Sequence, residues 1–240
     1  MRAIRDDRWA DASLTVLLAV QVLTLFVAIP LGARHPTSHL LLDLCHLAFA
    51  AICVGVLTRH RAVQVALLAA LALLAVGPVA GDAFASRLGL GAQTVHETIA
   101  TNAFLFNGIV TLLVARQVFG AGRVTAHHIR GAVLLYLNVA ALFAIAFGLL
   151  ESHVPGAIIP ESGALLSGAL GARSAALTYF SLSTITTTGF GDLQPVHPIA
   201  RSLANFESVF GQLFPATLLA RLVGLHLHGQ REASEIKDAP

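Results

Sequence analysis

Charge is what this sequence has least of. Asp, Glu, Lys and Arg make up only 12% of its 240 residues, about half of the roughly 25% typical of a soluble domain. That shortage argues against an ordinary water-soluble enzyme. It also excludes a disordered solvated chain and a nucleic-acid-binding tail, which need more polar or basic residues. Lysine is almost missing, since fourteen of the fifteen basic residues are arginine. Cysteine is equally scarce. Cys45 and Cys53 are the only two and both lie in an apolar run, so they read as buried thiols rather than a disulfide or a metal pair. There is no Walker loop, no HExxH pair and no dinucleotide fingerprint after a strand, so no enzyme class is supported.

Hydrophobic residues are plentiful, at 56%. They gather into runs long enough for a membrane helix, which needs roughly 20 mostly apolar residues. Six such runs are expected: Ala12–Pro30, Leu40–Thr58, Ala62–Val79, Thr98–Ala115, Ala132–Leu150 and Ile199–Leu225. The first is not read as a cleavable signal, because no convincing small-x-small site follows it and several spans come after. Six crossings put both termini on one side. With that side cytoplasmic, eleven basic residues lie inside and four outside, as arginine bias across a membrane favours. The fold class is therefore an all-α membrane protein, with both termini in the cytoplasm.

The stretch from Glu151 to Pro198 does not fit a simple count. It opens on Gly- and Pro-rich sequence, continues as the short amphipathic run Ser174–Thr186, and then turns polar at Thr187, Thr188, Gly189, Phe190, Gly191 and Asp192. A short helix followed by a glycine-rich turn between two spans reads as a re-entrant loop, which membranes tolerate where protein buries it or it lines a wet cavity. An external loop with a half-buried helix is the alternative. An ion pore needs oxygens repeated along an axis, and backbone carbonyls serve when alternate residues accept unusual dihedrals. Gly189 and Gly191 accept them cheaply. Thr187 adds a hydroxyl at the inner end, and Asp192 sits at the outer mouth, bonded behind the turn or attracting cations. A glycine turn capping a helix has a similar pattern.

Thr186–Asp192, TTTGFGD, closely resembles the signature of the potassium-channel pore-domain family. The resemblance extends to Tyr179-Phe180-Ser181 and Thr184-Ile185-Thr186 as a pore helix, and to Leu193, Pro195 and the helix from Ile199. It covers about Ala132 to Leu225. It implies a selectivity filter of Thr187, Thr188, Gly189, Phe190 and Gly191, with K+ held at Thr187, Thr188, Gly189 and Phe190. No other cofactor is implied. The commoner family form has Val at Thr188 and Tyr at Phe190, so filter stiffness and selectivity are where this chain departs. The sodium and calcium relatives carry an acid within the filter. Here the only acid is Asp192, after the second glycine, which favours K+. One filter per chain implies a homotetramer.

The layout expected from this reading is a four-helix transmembrane domain over 1–115 and a cytoplasmic interfacial linker over 116–131, carrying Arg116, Arg123 and Arg130 at the head groups. A pore domain over 132–225 follows, with outer helix 132–150, turret 151–173, pore helix 174–186, filter 187–191 and inner helix 199–225. A short cytoplasmic tail spans 226–240. The run Thr98–Ala115 lacks arginine, so steep voltage gating is not expected. No regulatory subunit and no nucleic-acid partner is inferred. The membrane, a bacterial inner membrane by the resemblance, supplies the lipid contacts.

Within the inner helix, Gly211 follows Gly191 by 20 residues. It is a candidate gating hinge with Pro215, which removes a helical hydrogen bond. The other role for Gly211 is close helix packing. Glu207 either lines the cavity or supports the pore helix from behind, and Gln212 is a second polar residue that needs a partner. The function expected is passive, K+-selective permeation. A nonselective cation pore, a K+-uptake subunit and a non-conducting regulatory or scaffold subunit are the alternatives.

Overall fold

The computed structural model describes residues 14–32, 45, 48–49, 51–52, 64–65, 67–73, 92–119, 126–163, 165–166 and 170–238. Five long helical segments carry it: α1 (Leu14–Gly32), α2 (Ala92–Val118), α3 (Ala126–His153), α4 (Leu170–Ile185) and α5 (Pro198–Asp238). Two short strands, β1 (Ile158–Pro160) and β2 (Leu193–Pro195), flank α4 in sequence. Three stretches among the described residues are long and apolar enough to cross a membrane: Leu14–Gly32, Glu97–Arg116 and Ile129–His153. They correspond to the first, fourth and fifth expected runs and make this a multi-pass, membrane-associated helical protein. The runs expected over 40–58 and 62–79 lie largely outside the described residues, as does Cys53. Cys45 is buried and free, as expected.

The sixth run is helical, within α5, and carries Arg201, Asn205, Glu207 and Gln212 in its first half. Helix ends fall inside two of the expected segments. Of the linker expected over 116–131, residues 120–125 lie outside the described residues; α2 runs on through Val118 and α3 begins at Ala126. Arg116 and Gln117 are good helix formers, so nothing stops α2 before Gly120. The expected tail over 226–240 is helical as far as Asp238, because α5 meets no further proline before Pro240.

Local chemistry explains the irregularities. In α1 the segment Thr24–Ala28 widens to a π-helix, in which the Ile29 N–H donates to the Thr24 carbonyl. Pro30 follows immediately. Its ring crowds the carbonyl four residues back and it has no N–H to give, so a widened turn just before it relieves the conflict. Thr24 also donates from its hydroxyl to the Val20 carbonyl at 2.8 Å.

Packing follows helical ridges. Phe106, Val110, Val114 and Val118 recur at four-residue spacing on α2 and are all buried, forming one ridge. They share a core with Leu134, Leu135, Val139 and Ala140 of α3, with Leu14 and Leu17 of α1, and with Ile185 and Phe214. Gly131 permits the close crossing of α2 and α3, since a Cβ there would lie 2.7 Å from the Val118 methyl. Asn102 donates to the Ala70 carbonyl at 2.8 Å. Arg130 reaches Thr15 Oγ1 at 2.9 Å. A second core, of Phe147, Ile158, Leu177, Phe180, Ala200 and Ala204, joins α3, β1, α4 and α5.

The two strands form a small sheet beside α4. β1 and β2 pair antiparallel, with Ile158 opposite Pro195 and Pro160 opposite Leu193. The Glu161 N–H donates to the Asp192 carbonyl at 2.9 Å and the Val196 N–H to Ala157 at 2.9 Å. Glu151, only 2% exposed, accepts from the Ile158 N–H at 2.5 Å and from the Gly156 N–H at 3.2 Å. The turn after α3 is therefore pinned to β1, which pairs with the strand that follows residues 187–192.

Candidate functional site

The site begins where α4 ends. Thr187 has a φ of 56°, a left-handed conformation in which a β-branched residue is an outlier. The Thr187 N–H donates to Thr184 at 2.9 Å and the Thr188 N–H to Ser183 at 2.8 Å. This pair of bonds around a left-handed residue is a Schellman cap. The position that glycine usually takes is here held by Thr187. Gly189 (φ 56°) and Gly191 (φ 82°) repeat the positive dihedral two and four residues later, while Thr188 and Phe190 between them do not have it. A cap needs one left-handed residue, so the further alternation goes beyond capping.

Every carbonyl at the end of α4 has a donor from the protein. Ser183 accepts from Thr188, and Thr184 accepts from Thr187. Thr184 also accepts from the Ser208 hydroxyl of α5 at 3.3 Å. Ile185 accepts from the Tyr136 hydroxyl of α3 at 2.9 Å, and Thr186 from the Thr187 hydroxyl at 2.7 Å. These are the groups a helix leaves without intrahelical partners, and here they tie three helices together.

The turn itself is braced from behind. Thr188 Oγ1 lies 2.8 Å from Thr186 Oγ1, and the Thr186 hydroxyl donates to the Leu182 carbonyl at 2.7 Å. Since Thr186 has one proton, Thr188 is the donor between the two hydroxyls. The Phe190 ring stacks on Tyr179 of α4, with centroids 5.8 Å apart and planes at 12°. The Tyr179 hydroxyl donates to Asp192 Oδ1 at 3.2 Å. Asp192 thus bonds behind the turn, one of the two roles open to it from sequence. Gln194 donates to the Gly191 carbonyl at 3.1 Å, and Arg201 Nε to Pro195 at 3.0 Å. Residues 186–192 are all exposed in the single chain.

Glu207 is fully buried. Its Oε1 lies 2.5 Å from Ser181 Oγ, which also lies 2.7 Å from the Ala140 carbonyl. Ser181 has one proton and Ala140 offers only an acceptor. A carboxyl that donates to Ser181 while Ser181 donates to Ala140 satisfies both contacts. Glu207 therefore sits between α4, α5 and α3 and supports α4 from behind rather than facing a cavity. Its Oε2 has no partner, and neither amide atom of the buried Asn138 has one.

Gly211 is set against α4. A Cβ there would lie 1.8 Å from the Ile185 carbonyl oxygen, so only glycine permits this approach. Gln212, the next residue, donates to Thr187 Oγ1 at 2.7 Å. Pro215 lies inside a continuous helix. Lacking an N–H, it leaves the Gly211 carbonyl without its helical donor.

Sequence reasoning missed Tyr136, and saw Tyr179 and Ser181 only as part of a pattern. One signal was available. The chain has two tyrosines, and a tyrosine within an apolar helix needs a partner for its hydroxyl. Both reach the turn or the end of the helix before it. Among the described residues no group of three His, Cys, Asp or Glu side chains is placed to hold a metal ion.

No curated protein and no solved structure matches the chain. Residues 171–225, which run from the start of α4 through the turn and most of the apolar part of α5, match the model of a family described as ion channel.

Proposed function

We propose that the protein is a passive, K+-selective channel whose pore is built by four copies of the chain around Thr187–Gly191. The observation that carries this reading is the alternation of positive φ at Thr187, Gly189 and Gly191, within the segment that matches an ion-channel family. Alternating backbone handedness turns successive carbonyls to one side of the strand. A ring of such strands replaces the water around a dehydrated cation. The absence of an acid between Thr187 and Gly191 favours K+ over the cations that acidic filters select.

Assembly is supported by what one chain leaves uncovered. Phe190 is 67% exposed, although it lies in the most closely braced turn of the fold. Ile199, Phe206, Val209 and Leu213 form an apolar stripe along α5, each more than half exposed. Neighbouring copies would cover both, and a closed ring is the usual symmetry for such an assembly. The alternation needs no metal cofactor, and K+ is the permeant ion.

The test is flux. Purified protein is placed in liposomes loaded with KCl and diluted into NaCl, and a voltage-sensitive dye follows the membrane potential. The reading predicts an inside-negative potential that Gly189→Ala abolishes, because a Cβ strains a residue at φ 56°. The absence of any potential, with tetramers present by native mass spectrometry, would favour a non-conducting subunit.

A further inference from the structure

The contact between Gln212 and Thr187 is not needed to hold the helices together, since both residues are exposed in the chain and the cores lie elsewhere. Its geometry is specific. The Thr187 hydroxyl donates its one proton to the Thr186 carbonyl at 2.7 Å and accepts from Gln212 Nε2 at 2.7 Å. A hydroxyl has one proton and two lone pairs. With the proton and one lone pair engaged, a single lone pair is left, and its direction is fixed.

The register that allows this is set one residue earlier. Gly211 lies so close to Ile185 that any Cβ would collide with its carbonyl oxygen. That approach brings the next side chain on α5 within reach of the innermost residue of the turn. Ser208, one helical turn back, touches the Thr184 carbonyl, so the same face of α5 follows the base of the turn.

We infer that Gln212 is a positioning residue for the innermost cation site: its amide orients the Thr187 hydroxyl so that the remaining lone pair faces the ion. This rests on the reading of Thr187–Gly191 as a cation filter and names a residue outside the filter that sets its affinity. A neutral donor suits the task. It fixes the oxygen without adding charge beside the ion, and a free threonine rotor would have to be ordered each time an ion enters.

The test is K+ binding at equilibrium, which needs no open gate. KCl is titrated into the detergent-solubilised tetramer in choline chloride by isothermal calorimetry, for the native chain, Gln212→Met, Thr187→Val and the double variant. Gln212→Met keeps the side chain's length and removes the donor. The expected result is K+ affinity weaker on the order of three- to tenfold in Gln212→Met, the range of one lost hydrogen bond. No further loss is expected when Thr187→Val is already present, because the two act through one contact. Gln212→Leu repeats the test if Gln212→Met does not assemble. Unchanged affinity in the Gln212 variants, or equal losses with and without the Thr187 hydroxyl, overturns the inference while leaving the channel reading standing. Absence of K+ binding by the native tetramer overturns both.

Discussion

Thr187 holds a backbone conformation that costs a β-branched residue of order 1–3 kcal/mol, and its surroundings pin it there. Its N–H caps α4, its hydroxyl donates to Thr186, and Gln212 donates to it. Thr188 has a matching tie through Thr186 to Leu182. Phe190 has no hydroxyl with which to anchor the turn and stacks on Tyr179 instead. Thr188→Val removes one hydrogen bond from this brace, worth about 1 kcal/mol. The expected outcome is a lower K+/Na+ permeability ratio and a shorter-lived open state in single-channel records. An unchanged ratio and open time would show that the Thr188 hydroxyl is idle. Glu207 gives a prediction of opposite kind. Glu207→Gln places an amide donor against Ser181 and keeps the chain of bonds to Ala140, so thermal unfolding of the tetramer should shift little. Glu207→Ala leaves a void between three helices and should destabilise by roughly 1–3 kcal/mol. Equal effects of the two variants would contradict the bonding described at Ser181.

At the level of elements, α4 is the keystone: α3 caps its last carbonyls through Tyr136, and α5 lies against it through Ser208 and Gly211. Below it, Phe214 stacks on Phe210 with centroids 5.4 Å apart and meets Tyr136 at 6.0 Å. Gly211 lies in close approach to α4. Gly211→Ala should force α5 away from α4 and reduce the yield of folded tetramer, as overpacking by one methyl commonly costs 1–3 kcal/mol. A pure hinge predicts normal assembly with altered gating. Pro215 keeps the hinge question alive in a different form, because the carbonyl it strands is that of Gly211. Pro215→Ala restores that hydrogen bond. It is expected to leave assembly intact and to change open probability in bilayer recordings.

Legibility from sequence also divides by element. The short helix α4 and the turn after it could be read because their signals are local, a short amphipathic run, a run of polar residues and two glycines. The positions of Gly211 and Glu207 on α5 could be read for the same reason. Their partners could not. Tyr136 and Ile185 are 49 residues apart, and Ser181 and Glu207 are 26 apart, so only the packed fold brings them together. The C-terminal end of α2 could not be placed from arginine spacing, because helix propensity carries α2 on through Val118.

For the whole molecule, three stretches among the described residues are long and apolar enough to cross a membrane, residues 171–225 match an ion-channel family, and the turn after α4 is exposed in the single chain. Under the proposed function, copies of the chain would cover that turn in a ring. The early helices pack onto α3 through the core that also reaches Ile185 and Phe214, which gives any stimulus acting on them a packed route to the base of the turn. The most direct measurement of the central claim is the reversal potential of the reconstituted protein in a planar bilayer, with KCl on one side and NaCl on the other. The account predicts reversal near the K+ equilibrium potential, and loss of current in Gly189→Ala. A current that reverses near zero would contradict it and make the protein a nonselective cation pore.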